Sequence, residues 1–131
     1  MKYTYDTPEE AVASLEKAYS NEDINAIILC KDFIEEAKFI LEQTVEAYNL
    51  ENIELIEETA KALESSLVLT LQENGFPNFK NLKSEIFNLQ RFKDNIYVVD
   101  ERVTYPDNTI YETRIFLSFK NGVWKVALVE E

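Results

Sequence analysis

Two groups of residues could do chemistry. The first lies late in the chain: Asp100, Glu101 and Glu112, with Tyr97, Tyr105 and Tyr111 close by. A carboxylate in an apolar hollow acts as a general base, and a tyrosine beside it stabilises an oxyanion. Arg102 and Arg114 offer a simpler use for the same acids, opposite charges paired across a ladder of strands. The second group is Asp32, Glu35 and Glu36. Three carboxylates so close together could approach a cation, but coordination needs several convergent ligands. There is no EF-hand loop and no Cys/His set, so no metal is expected. Cys30, the single cysteine, ends the apolar run 26–30 and reads as a small core residue. It can form no internal disulfide, which fits a reducing compartment. The chain has no histidine, which excludes imidazole catalysis, histidine metal sites and a histidine pH switch. Its two glycines stand apart and make no phosphate cradle. No catalytic residue and no cofactor is assigned from this inventory.

The elements that must position these side chains divide near Gly75. Thr7-Pro8-Glu9-Glu10 starts a helix: threonine caps, proline takes the first helical position, and Glu10 closes the capping box. Val12, Leu15 and Tyr19 form its buried stripe. A second helical pattern begins at Asp23 and runs through Ile24, Ile27 and Ile28 to Phe33, Ala37, Ile40, Leu41, Thr44 and Tyr48, as one bent helix or as two. Ile53, Ile56, Ala60, Leu63, Leu67 and Leu71 define a further helix, stopped by Asn74-Gly75 and Pro77.

Beyond Gly75 the period changes to two. Strands are expected over 84–92, 96–105, 110–119 and 123–129. Ile115, Leu117 and Phe119 should share a face, as should Trp124, Val126 and Leu128. Asn121-Gly122 is a hairpin signal. Pro106-Asp107-Asn108-Thr109 is a second turn; closed around 107–108, it sets Tyr105 opposite Ile110 and Glu101 opposite Arg114. The expectation is a single α+β domain over 1–131, with a helical part over 7–75 laid on one face of an antiparallel meander over 82–129.

The net charge of −12 belongs wholly to the helical part. Residues 1–75 carry 17 acids and 5 bases, whereas residues 76–131 carry 8 of each. Such a surface disfavours direct binding to nucleic acid or to anionic membranes. It would steer a basic partner. The acids cluster at Asp32, Glu35, Glu36, Glu42, Glu46, Glu51, Glu54, Glu57, Glu58 and Glu64, between stripe positions where each alone would be a solvated charge. Glu57 and Lys61 have the spacing of a helical ion pair. Glu35, Glu36, Glu54, Glu57 and Glu58 form the candidate partner-binding patch. No apolar run is long enough to span a membrane, and the first residues lack a secretory h-region, so a cytoplasmic protein is expected.

Several stretches together carry a family resemblance: 5–11 (Tyr5-Asp6-Thr7-Pro8-Glu9-Glu10-Ala11), Asp23-Ile24 to Cys30-Lys31-Asp32-Phe33 with Glu36-Ala37-Lys38, and Glu58-Thr59-Ala60-Lys61-Ala62-Leu63-Glu64. They are followed by Glu73-Asn74-Gly75-Phe76-Pro77-Asn78-Phe79, Thr104-Tyr105-Pro106-Asp107 and Gly122-Val123-Trp124-Lys125-Val126. In this order the chain resembles the bacterial immunity proteins of nuclear transport factor 2-like fold found in polymorphic toxin systems. The resemblance implies a cystatin-like cone, a bent antiparallel sheet of about four strands wrapped around N-terminal helices. It also implies a non-catalytic protein that neutralises a cognate toxin, and it carries over no site residue. Two alternatives stand beside it: an isomerase- or cyclase-like enzyme or sensor using the cone cavity, and a dimeric module pairing through Phe116, Phe119 and Trp124.

Overall fold

The computed structural model describes residues 3–44 and 51–130. Glu46 and Tyr48 lie outside the described residues. Helix α1 spans Pro8–Ser20, α2 Ile24–Cys30, α3 Phe33–Thr44 and α4 Ile53–Asn74; strands β1 (Lys83–Lys93), β2 (Ile96–Thr104), β3 (Ile110–Lys120) and β4 (Val123–Glu130) follow. Among the described residues no helix is long and apolar enough to cross a membrane.

The helix ends follow the local chemistry. The Thr7 hydroxyl accepts from the Glu10 N–H at 3.1 Å. Asp23 and Asn52 do the same for Ala26 and Leu55, each at 3.1 Å. Gly75, at φ 88°, ends α4 in a conformation that side chains resist. The long pattern from Asp23 resolves into two helices because Lys31 turns extended and bridges to Val126 of β4. The Asp32 N–H then donates to the Val126 carbonyl at 2.8 Å, and the Asp32 carboxylate caps α3 by accepting from the Glu35 N–H at 3.1 Å. One short extended break thus ties the helical part to the sheet edge.

The four strands run antiparallel in the order β1-β2-β3-β4. Asn121 and Gly122 take φ of 53° and 77°, as the predicted hairpin requires. The β2–β3 turn corrects the expected register. Tyr105 and Thr109 close it, with the Tyr105 N–H on the Thr109 carbonyl at 2.8 Å and Asn108 left-handed at φ 69°. Three residues rather than two make the loop, so Thr104 faces Ile110, Asp100 faces Arg114 and Glu101 faces Thr113. Glu101 alternates with Val99 and Val103 on the core face of β2, where it is 5% exposed, and the observed register gives it Thr113 instead of Arg114 as its cross-strand neighbour.

Alternate strand residues enter separate cores. Val99, Ile115, Leu117, Trp124 and Val126 pack with Val12, Leu15 and Ile27 of the first two helices and with Leu71 of α4. Ile96, Phe116 and Ala127 pack with Phe39 of α3. Because neighbours along a strand point to opposite faces, α3 covers the face opposite α1. The helices therefore do not all lie on one face, as the sequence suggests. A register shift between Phe116 and Leu117 leaves Ala127 unpaired and sends Leu128 to the α3 side, away from Trp124 and Val126. A third core joins α3 and α4 through Phe33, Ala37, Leu41, Ile56 and Ala60.

Candidate functional site

A hollow of about 740 Å³ opens between α4, the α2–α3 junction and the β3–β4 hairpin. Its size is that of a small-molecule site. Ile28, Leu29, Phe33, Ala60 and Val123 supply apolar wall; Lys31, Lys61, Lys120 and Lys125 bring ammonium groups. At its base a network of charge joins α3 to β3. The Ser118 hydroxyl donates to Asp32 at 2.7 Å. The Lys120 ammonium reaches Asp32 Oδ2 at 3.1 Å and Glu35 Oε2 at 2.8 Å. Lys38 meets the same Glu35 oxygen at 3.1 Å.

Burial alone would push the Asp32 pKa up. The Ser118 hydroxyl, the Glu35 N–H and the Lys120 ammonium outweigh it and hold the carboxyl below its usual range. Burial likewise works to lower the Lys120 pKa, but Glu35 and Asp32 reverse the direction and raise it. The result is an ionised, satisfied cluster that fixes the start of α3.

A second acidic centre lies under α1. Glu16 shares a hydrogen bond with Glu101, whose Oε2 also accepts from the Ser84 hydroxyl. Burial first, then the hydrogen bond and charge of Glu101, push the Glu16 pKa up to about 9. Glu16 therefore keeps its proton at neutral pH. Thr113, opposite Glu101, has a buried hydroxyl with no hydrogen-bond partner among the described residues.

The structure separates the acids grouped in sequence. Glu35 is 7% exposed and does not belong to an open patch, because Lys38 and Lys120 grip it. Glu36 pairs with Lys31 at 3.3 Å. Glu54, Glu57 and Glu58 stand exposed on α4. Among the described residues none of these three has a cation within 4.0 Å, and the expected Glu57–Lys61 pair is not formed. Asp32, Glu35 and Glu36 do not converge on a metal site, and among the described residues no group of three or more acids or cysteines does.

The late acids part in the same way. Glu112 is exposed and meets Arg102 at 3.4 Å. Asp100 accepts from the Asn88 amide at 3.0 Å. Tyr105 and Tyr111 stack edge to face at the exposed end of the sheet, whereas Tyr97 packs on Trp124 in the core. Only Glu101 of the three acids turns inward, and its companion is Glu16 rather than a tyrosine. Cys30 is fully buried, its thiol set 3.8 Å from the Tyr5 hydroxyl and raised in pKa by burial. Burial and the contact with Cys30 push Tyr5 to about 12.

Sequence reasoning missed Glu16, Ser118 and Lys120. Glu16 had a signal: it follows Val12 by four residues, so it falls beside the buried stripe of α1. Ser118 and Lys120 had none, since they meet Asp32 across 86 and 88 residues of chain.

No family model and no curated protein matches the chain. Among solved structures, a Campylobacter jejuni protein designated an NTF2-like transpeptidase aligns with a TM-score of 0.52 and 14% sequence identity. The alignment covers 93% of this chain and 99% of that one. The likeness is one of fold: among the described residues, four α-helices and a four-stranded antiparallel sheet in the nuclear transport factor 2-like arrangement.

Proposed function

We propose that the protein is a non-enzymatic immunity protein that binds a basic toxin and neutralises it. The observation that carries this reading is the outer face of α4. Glu54, Glu57 and Glu58 are exposed there and unneutralised among the described residues, while the acids of α3 are answered by lysines. Ile53 and Leu69, 69% and 54% exposed, give the same helix apolar anchors. An acidic face with apolar contacts suits a basic partner whose active site or substrate path it would occlude. Residues 35 and 36 drop out of the patch, which narrows to Glu54, Glu57 and Glu58.

The designation of the structural neighbour does not transfer readily. Acyl transfer needs an accessible activated nucleophile. Cys30 is sealed from solvent, with its thiol held protonated by burial. The paired carboxyls of Glu16 and Glu101 favour the enzyme alternative more than any other feature. Their hydrogen bonds are directed at each other and at Ser84, and neither residue lines the hollow beside α4. This supports a structural use of the pair.

The test is co-expression with the product of the neighbouring reading frame, followed by association kinetics. Reversing the three charges, E54K/E57K/E58K, should slow association about tenfold at low salt, and added salt should slow the parent protein. An association rate indifferent to both changes overturns the electrostatic reading.

A further inference from the structure

We propose that the hollow between α4 and the β3–β4 hairpin binds a small amphipathic anion, a carboxylate carried on an apolar body. The head-group seat lies on the hairpin, and the hollow shares only Glu57 with the α4 outer face, so the inference stands apart from the toxin reading.

The register fixes the seat of the head group. Ser118 pairs with Lys125 and Lys120 pairs with Val123, so these four side chains share one face of the hairpin. Lys120 and Lys125 are diagonal neighbours on that face, a spacing at which one carboxylate can meet two long side chains. No acid of either strand lies between them. The ion network beneath is polarised outward: the Lys120 side chain is 40% exposed, while Asp32 and Glu35 below it are each 9% exposed. Asp32 also lines the hollow, but it is 9% exposed and bound to Lys120, so the more exposed Lys120 ammonium is what a ligand meets first at this wall. Lys125 forms no ion pair among the described residues. Asp32 already caps α3, so the anion would be held by side chains and not by the helix terminus.

The body of the ligand is specified by the apolar wall. Val123, Phe33, Ile28 and Leu29 continue from the lysines as apolar surface, and Leu29 is 58% exposed. The opposite lip sets the orientation. Glu57 and Glu64 of α4 flank Lys61 there, leaving that lip with an excess of acid. An anionic head is repelled from α4 and drawn to the hairpin, with its apolar part lying along the apolar wall. A cation or a neutral molecule of the same shape lacks the two-ammonium contact.

Isothermal titration with octanoate, octylamine and octanamide tests the proposal, joined by amide chemical-shift mapping. Octanoate should bind one to one and move the amides of 118–125 together with Leu29. Lys125→Glu should weaken it at least tenfold, Lys125→Gln by a smaller factor, and Lys17→Glu on α1 should leave it unchanged. Octylamine and octanamide should bind at least tenfold more weakly. Thermal unfolding of each variant checks that it is folded, and the shift map of the parent protein reads the site without any substitution. The proposal is overturned if octanoate does not bind at millimolar concentration, or if octylamine binds as well. It is equally overturned if the shifts fall elsewhere or a folded Lys125→Glu binds like the parent. None of these results bears on toxin association, so the two readings fail separately.

Discussion

Two carboxyl pairs sit below the surface of this protein, and they resolve the same difficulty in opposite ways. Asp32 and Glu35, at the start of α3, face Lys120 and Lys38, and Asp32 also collects Ser118 and a helix N–H. Its pKa is held down despite burial. Glu16 and Glu101, under α1, face each other, and Glu16 is driven up to about 9. Residue type does not explain the difference. What decides it is whether a cation and convergent donors are present when the carboxyl leaves water. The first centre is stabilised by ionisation, the second by keeping a proton.

The largest expected effect comes from breaking the ionised centre. Asp32→Ala removes a helix cap, a buried hydrogen bond from Ser118 and one of the two carboxylates that hold Lys120. These losses together should cost about 3–4 kcal/mol, read from urea unfolding. Asp32→Asn keeps an acceptor for the Glu35 N–H and should cost about half as much. A loss below ~1 kcal/mol for the alanine variant would mean that the network adds little to what the apolar contacts of α3 already supply.

The pH dependence sharpens the contrast next. The folded pKa of Glu16 lies above its ordinary 4.5, so between those values the folded state binds a proton that the unfolded chain does not. Stability from this group is full below pH 4.5, declines as pH rises and is lost once pH passes about 9. Asp32 has the reverse sign. Its contribution is present above its ordinary 3.8 and is lost as pH falls through the depressed folded value. Stability should therefore peak in mild acid and fall by about 2–3 kcal/mol between pH 6 and 8. Glu101→Gln removes the like charge and should flatten that decline, leaving the variant more stable than the parent at alkaline pH. Parallel curves for the two proteins would dissolve the pair as a proton-sharing unit.

Thr113→Val probes the same centre by a smaller step. The Thr113 hydroxyl is buried without a partner among the described residues, and valine keeps its shape while removing the unmet polar atom. The change should stabilise by about 1 kcal/mol and raise Tm by a few degrees. A destabilised variant would reveal a partner for that hydroxyl in solution.

The contrast also explains what could be read from the sequence. Thr7-Pro8, Asn74-Gly75 and Asn121-Gly122 state their geometry within a few residues, and the helix and strand limits followed. The strands were legible as a period, but their facing was not. Pro106-Asp107-Asn108-Thr109 is compatible with a two-residue or a three-residue loop, and left-handed Asn108 selects the latter. That one residue takes Arg114 away from Glu101, which shares the buried face of β2 with Val99 and Val103, and leaves it with Glu16 in place of a cation. The extra residue at Ala127 turns Leu128 to the α3 side. The ionised centre was hidden more deeply. Asp32 was visible as an acid, but Lys120 and Ser118 reach it only through the parallel contact of Lys31 with Val126, which leaves no mark in local periodicity.

The smallest expected effect concerns acids that belong to neither centre. Glu54, Glu57 and Glu58 are exposed on α4, with no cation within 4.0 Å among the described residues. Their ionisation needs no internal compensation, because water solvates them in the folded and unfolded chains alike. Glutamine has nearly the helix propensity of glutamate, so E54Q/E57Q/E58Q should change unfolding free energy by no more than ~0.5 kcal/mol. The sign should be stabilising at low salt, since like charges one turn apart repel, and added salt should erase it. A loss of more than ~1 kcal/mol would place these side chains in intramolecular contacts and remove them from a surface held free for a partner. Near-neutral stability combined with slower association would instead separate the acids that build this fold from those that act outside it.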